Sequence, residues 1–192
     1  MEIQRRMFIL LVLVTFVLTN LSCNFVKVMT KSASPTETPI AVSTESVESL
    51  ATEVNSVISK AQAGDPIVLE VTEEQLTSAA TNELQASGEN RVHNLQIRLR
   101  DGKMIITGNV DQGGLTLPLS VSLTFTIDAQ GQPRSQVVEA SVGPFSLPES
   151  YLTDITSQLD QALMDQLNAN AVNLVVDSIT IADGRMTVLA HK

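Results

Sequence analysis

Two histidines, one cysteine, scattered carboxylates and a short basic run are the side chains in this sequence with chemistry to offer. His93 lies at the start of an expected strand, beside Val92 and Asn94, and His191 is the penultimate residue. Neither has a nucleophile or acid at a spacing that makes a catalytic pair, so both read as solvated side chains. The 21 Asp and Glu residues fall along helix faces and turns. General acid–base work needs two such groups in one pocket with shifted pKa values, and no spacing here suggests that. No Gly-x-Ser-x-Gly elbow, Walker loop, dinucleotide fingerprint or His-Glu-x-x-His motif occurs. An enzyme is therefore not expected, and neither a cofactor nor a metal is implied. Arg91, Arg98, Arg100 and Lys103 form the basic cluster. Arg98 and Arg100 share one face of an expected strand, and Lys103 lies just past the turn. They suit either cross-strand pairing with acids such as Asp111 or contact with a headgroup or partner. The formal charge is −9, with 12 Lys and Arg and no basic stripe, which argues against nucleic acid as a partner. Aromatics are 3% of residues and Trp is absent, so there is no platform for stacking bases.

The cysteine has the most specific surroundings. A single cysteine excludes an intramolecular disulfide framework and a Cys-based zinc site. Arg5 and Arg6 precede a twelve-residue apolar run, MFILLVLVTFVL, and TNLSC follows, ending at Cys23. A basic start, a short apolar stretch and a small residue before a cut are the parts of a secretory signal. With Ser22 directly before Cys23, the segment resembles the lipobox of bacterial lipoproteins. Asn20 and Leu21 stand where that motif usually has Leu and a smaller residue. The resemblance implies removal of residues 1–22 and acylation of Cys23. The other reading is an uncleaved anchor, since residues 7–26 approach the length that spans a bilayer. In both, Arg5 and Arg6 stay inside and the rest of the chain is extracytoplasmic and membrane-anchored. Residues 23–44 are rich in Ser, Thr and Pro without a sustained period, a flexible tether.

Residues 45–192 then read as a single α+β domain. Val47, Leu50, Ala51, Val54, Val57 and Ile58 follow helical spacing over 45–63. A short strand, IVLEV, leads to Thr72, an N-cap with Gln75 at capping-box spacing, and a helix to about Ala86. From Arg91 the period changes to two. Asp101-Gly102, Gly113-Gly114 and Gln130-Gly131 mark turns between antiparallel strands. The clearest strand is 115–127, where Leu115, Leu117, Leu119, Val121, Leu123, Phe125 and Ile127 alternate with small polar residues and Pro118. Ser146 to Glu149 again has capping-box spacing and opens a long helix over 148–170. Leu152, Ile155, Leu159 and Leu163 lie on its apolar stripe. Phe145, Leu147 and Tyr151 gather at its entry, as a staple onto the helix or as the lip of a groove. A last hairpin turns at Asp183-Gly184. The stretches IRLRDGKMII and ITIADGRMTV echo each other. Either two Asp-Gly hairpins look alike, or both occupy equivalent places on one curved sheet. A long one-sided sheet needs an apolar cover, and the long helix is the natural one.

TEEQLTSAATNEL, the hairpin around DGKMIITG and the stretch SVGPFSLPESYL before the long helix resemble a group of bacterial envelope proteins. These are the YpmS-like, LmeA-like and YceB-like proteins, related to the tubular lipid-binding (TULIP) fold. The likeness spans about residues 67–190. It implies a curved antiparallel sheet wrapped around the long C-terminal helix, with an apolar groove for lipid chains. The YceB-like members are also lipoproteins. The expected ligand-binding residues are Leu119, Val121, Leu123 and Phe125 on the strand and Leu152, Ile155, Leu159 and Leu163 on the helix. The expected function is a lipoprotein that binds or shuttles a lipid or another apolar ligand. The alternative is an envelope scaffold with a filled core.

Overall fold

The structure, a computed structural model, describes residues 38–60, 62, 64–169 and 175–191; Cys23, the signal segment and most of the tether lie outside them. The described chain is α+β, and all its strand pairs are antiparallel. Helix α1 spans Thr44–Lys60, strand β1 Pro66–Thr72 and helix α2 Glu73–Ala86. Strands β2 (Val92–Arg100), β3 (Lys103–Gln112), β4 (Leu115–Ile127) and β5 (Pro133–Val142) follow, then a two-residue β6 (Phe145–Ser146). Helix α3 (Glu149–Ala169) and strands β7 (Val175–Ala182) and β8 (Arg185–His191) complete the order.

The helix starts follow from local chemistry. Thr72 Oγ1 accepts the Gln75 N–H at 3.2 Å while Gln75 Oε1 accepts the Thr72 N–H at 2.9 Å, so two otherwise orphaned donors of α2 are satisfied. Helix α3 starts later than Ser146 would have set it. Ser146 belongs to β6, which pairs with β5, and the Leu147 N–H still donates to the Ala140 carbonyl at 2.8 Å. Backbone pairing therefore holds this segment extended until Pro148, whose carbonyl accepts the Tyr151 and Leu152 N–H groups at 3.0 and 3.3 Å.

Where one curved sheet was expected, the strands sort into two. β2 to β6 form a five-stranded meander in chain order, and a three-stranded sheet has the order β1-β8-β7. The last hairpin reaches the larger sheet through two backbone bonds, from the start of β7 (Val176 N–H to Gly131 O at 3.0 Å) and from the β7–β8 turn (Gly184 N–H to Leu99 O at 3.1 Å). The edges of the meander are already taken by helix side chains, as described below, so the last hairpin pairs with β1 instead. The two Asp-Gly hairpins share their turn chemistry, with φ of 51° and 73° at Asp101-Gly102 and 51° and 78° at Asp183-Gly184. They sit in different sheets, so the echo in sequence is one of turns, not of equivalent places in a sheet.

Register builds the core. Leu99, Met104, Leu123 and Val137 form one cross-strand row, and Ile97, Ile106, Val121 and Ala140 the next. Gly108, Leu119 and Val142 form a third. Leu99 and Val110 are fully buried, each such side chain contributing on the order of 1.5–3 kcal/mol. Ile181 of β7 and Leu76 and Ala80 of α2 pack on the first two rows; Leu84 packs with Val92, Leu95, Val110 and Val142.

Candidate functional site

Two features converge on the meander, an apolar surface and a polar cleft. Both depend on how the helices are fastened. An edge strand leaves every second N–H unpaired, about 6.8 Å apart, and residues four apart on a helix rise about 6 Å. At the β2 edge the Ile97 N–H donates to Thr77 Oγ1 at 3.0 Å and the Leu99 N–H to Glu73 Oε1 at 2.7 Å. At the opposite edge the Val137 N–H donates to Thr156 Oγ1 at 3.0 Å and the Ser135 N–H to Asp160 Oδ1 at 2.6 Å. Each helix thus spends one Thr and one carboxylate, four residues apart, on a strand edge. This also blocks those N–H groups from pairing with another chain.

The apolar surface lies between these fastenings. Leu123 is buried in the row beside Val137, at 5% exposure. Val121, Phe125, Leu152, Ile155 and Leu159 are half-buried and pack against the same cluster. Leu119 is half-buried against the Leu84 cluster, and Leu163 is half-buried one turn beyond Leu159. The two expected sets of ligand residues therefore meet largely on one core. Of the three entry residues, Leu147 packs on the main core, Tyr151 is half-buried and Phe145 stays exposed.

The cleft lies on the other face of β2. Arg98 and Arg100 alternate with Leu99 and so point away from the apolar rows. With Thr38, Ile40, Glu73 and Arg185 they line an open cleft of about 750 Å³. Glu73 is its centre, with a side chain 12% exposed. Arg98 Nη1 reaches Glu73 Oε2 at 3.3 Å, and Arg100 binds both carboxylate oxygens. The Glu73 N–H donates to Gly184 O at 3.2 Å, so the knot also ties in the β7–β8 turn. Arg98 further donates to the Thr38 carbonyl. The Gln96 amide pairs with Ile40 in both directions, accepting its N–H at 2.6 Å and donating to its carbonyl at 3.3 Å. The Ser43 N–H donates to Ser78 Oγ at 3.0 Å. The last residues of the expected tether, 38–43, are thus strapped across β2 and α2.

Three of the four basic residues are paired, but not across strands and not with Asp111. Arg98 and Arg100 take Glu73, and Arg91 takes Glu89 at 3.2 Å. Asp111 instead accepts the Thr116 hydroxyl at 2.5 Å and lies 3.7 Å from His93. Lys103 is exposed. Hydrogen bonding to Arg91, side chain first, holds the Glu89 carboxyl below its ordinary value. Asp128 is likewise lowered, first by the Gln132 backbone N–H and then by those of Gln130 and the Arg134 side chain. Among the described residues no group of three His, Cys, Asp or Glu could hold a metal ion. Nor is any helix there long and apolar enough to cross a membrane. Sequence reasoning missed Glu73, Thr77, Thr156 and Asp160 as fastening residues. The available signal was a polar pair at helical spacing of four, flanking an apolar stripe. No protein-family model, curated protein or solved structure matches the chain.

Proposed function

We propose that this protein is a membrane-anchored, extracytoplasmic lipoprotein, held through Cys23, that binds or shuttles a lipid or another apolar ligand. In this reading the fold is TULIP-like, with the meander curved around α3 and the ligand between β4 and α3. The supporting observation is incomplete burial. Of the eight apolar residues on these facing elements, Leu123 is buried, whereas Leu119, Val121, Phe125, Leu152, Ile155, Leu159 and Leu163 all keep partial exposure. An acyl chain seated on them gains about 0.8 kcal/mol per buried methylene and needs no hydrogen bonds along its tail. The scaffold reading, with a filled core, draws on the burial of Leu123 and on the bonds from Thr156 and Asp160 that draw α3 onto β5.

A fluorescent fatty acid titrated into the chain from Asn24 onward separates the two. The lipid reading expects saturable binding by the wild type. It also expects loss of binding in Leu159→Trp with little change in melting temperature, because the indole fills the ligand's space. No binding by the wild type, with an overpacking loss of roughly 1–3 kcal/mol in the variant, means a filled core.

A further inference from the structure

We infer that the end of the meander at the β3–β4 and β5–β6 turns is a tip that touches the lipid bilayer, and that an acyl chain passes there onto β4. The inference rests on the lipid-binding reading above. Leu115 is 64% exposed and Phe145 50%. Both fall on the face that carries the apolar rows. Leu115 is in phase with Leu117 and Leu119, and Phe145 pairs with Val142, which pairs with Leu119. Leu117 joins them, since its Cδ2 would lie 3.4 Å from a Cβ built on Gly143. An apolar track thus runs from the exposed tip to the half-buried face of β4.

Charge points to a bilayer as the occupant. Residues 112–127 and 140–148 contain no charged side chain, in a chain of formal charge −9, and the charges nearest to them at this end are Asp111, which holds Thr116, and the paired Arg91 and Glu89. Anionic lipid repels acidic side chains, so the closest approach falls to these two uncharged turns and not to Asp111. A Leu and a Phe at their apex gain by leaving water for the interface. Reach allows it. Thr38 is held by Arg98, beside the row of Leu99, Met104 and Leu123. The eight residues of strand from Leu123 back to Leu115 span roughly 26 Å. The fifteen or so residues between Cys23 and Thr38 extend to about 50 Å, so tip and anchor reach the same membrane.

The chain has no tryptophan, so Phe145→Trp places a single probe at the tip. Val68→Trp, at a site also 50% exposed but on the three-stranded sheet, is the control. The full chain is reconstituted in phosphatidylcholine–phosphatidylglycerol vesicles, with plain or chain-brominated lipid. Bromine should cut the emission of Phe145→Trp by about twofold or more and leave Val68→Trp unchanged. Should Phe145→Trp fail to fold, Leu115→Trp carries the same measurement. Emission unaffected by bromine, or equally quenched at both sites, overturns the inference. A blue shift without quenching also overturns it, because the tip is then covered by protein. Fatty-acid binding by the wild type alongside an unquenched tip leaves the lipid reading standing. A quenched tip without fatty-acid binding sinks that reading and keeps the membrane contact.

Discussion

Glu73 does at one edge of the meander what Asp160 does at the other. Each carboxylate takes an edge N–H that would otherwise be unpaired, and each is neighboured by arginine, Arg98 and Arg100 on one side and Arg134, at 3.9 Å, on the other. Their Thr partners are the testable half. Thr77 is fully buried, and Thr77→Val leaves the Ile97 N–H without an acceptor, an expected cost of about 1–3 kcal/mol in urea unfolding. Thr81, a further four residues along α2, has a buried hydroxyl without a hydrogen-bond partner. β2 shifts register between His93 and Gln96, with Asn94 at φ 54°, so the strand's N–H repeat no longer matches the helix there. Thr81→Val is isosteric and should leave the urea midpoint unchanged or raise it. Glu89 gives a pH effect. Its folded pKa is depressed below 4.5, so its stabilisation is present above the unfolded value and lost as pH falls through the folded one. The gap in melting temperature between wild type and Glu89→Gln should be open at pH 6 and narrow progressively as pH falls below the ordinary carboxylate value. A gap independent of pH excludes the Arg91 pair as its source.

At the scale of elements, periodicity was a good guide wherever the chain pairs with its neighbour in sequence. The thirteen residues of β4, the Thr72 capping box and the positive φ at Gly102 all follow from local pattern. β6 was not legible, because two residues carry no period, and its pairing depends on β5 being in place. Gly131 shows a similar dependence. Its turn, Gln130-Gly131, is visible in the sequence, but its closest neighbour is Val175, some forty residues on. A methyl group there meets the Val175 side chain, whereas one on Gly102 meets nothing within 4 Å. Both glycines have φ of +73°, so the backbone strain is shared and the difference isolates the contact. Gly131→Ala should therefore lower the melting temperature further than Gly102→Ala. Equal losses would mean that Val175 moves aside freely.

For the whole molecule, the strap over 38–43 adds six residues of the expected tether to the folded domain. Within the tether expected over 23–44, Thr38, Ile40 and Ser43 are bonded to the domain beside the Glu73 cleft. If Cys23 is the acylated N-terminus, Cys23→Ser should leave an unprocessed precursor, visible as a larger species on a denaturing gel. Normal processing of that variant would remove lipidation and favour the uncleaved anchor. The candidate groove belongs to the same scale. β4 and α3 announce their apolar faces separately, yet whether a ligand fits between them depends on how tightly Thr156 and Asp160 draw α3 onto β5.

The sequence by itself determined the helices, the four long strands, their turns and the face that each strand buries. These depend on side-chain alternation, caps and glycines within a few residues of one another. It also carried the apolar faces of β4 and α3, since residues 119–125 and 152–163 repeat at strand and helix periods. Only the tertiary structure decided that the strands form two sheets, that helix carboxylates close the edges of one, and that Arg98 and Arg100 bind Glu73 rather than Asp111. The reason is distance along the chain. Edge closure joins residues about 25 apart, and the strap joins residues about 60 apart, separations at which one-residue patterns carry no information about partners. Such contacts are fixed by which N–H groups remain unpaired once the meander has formed.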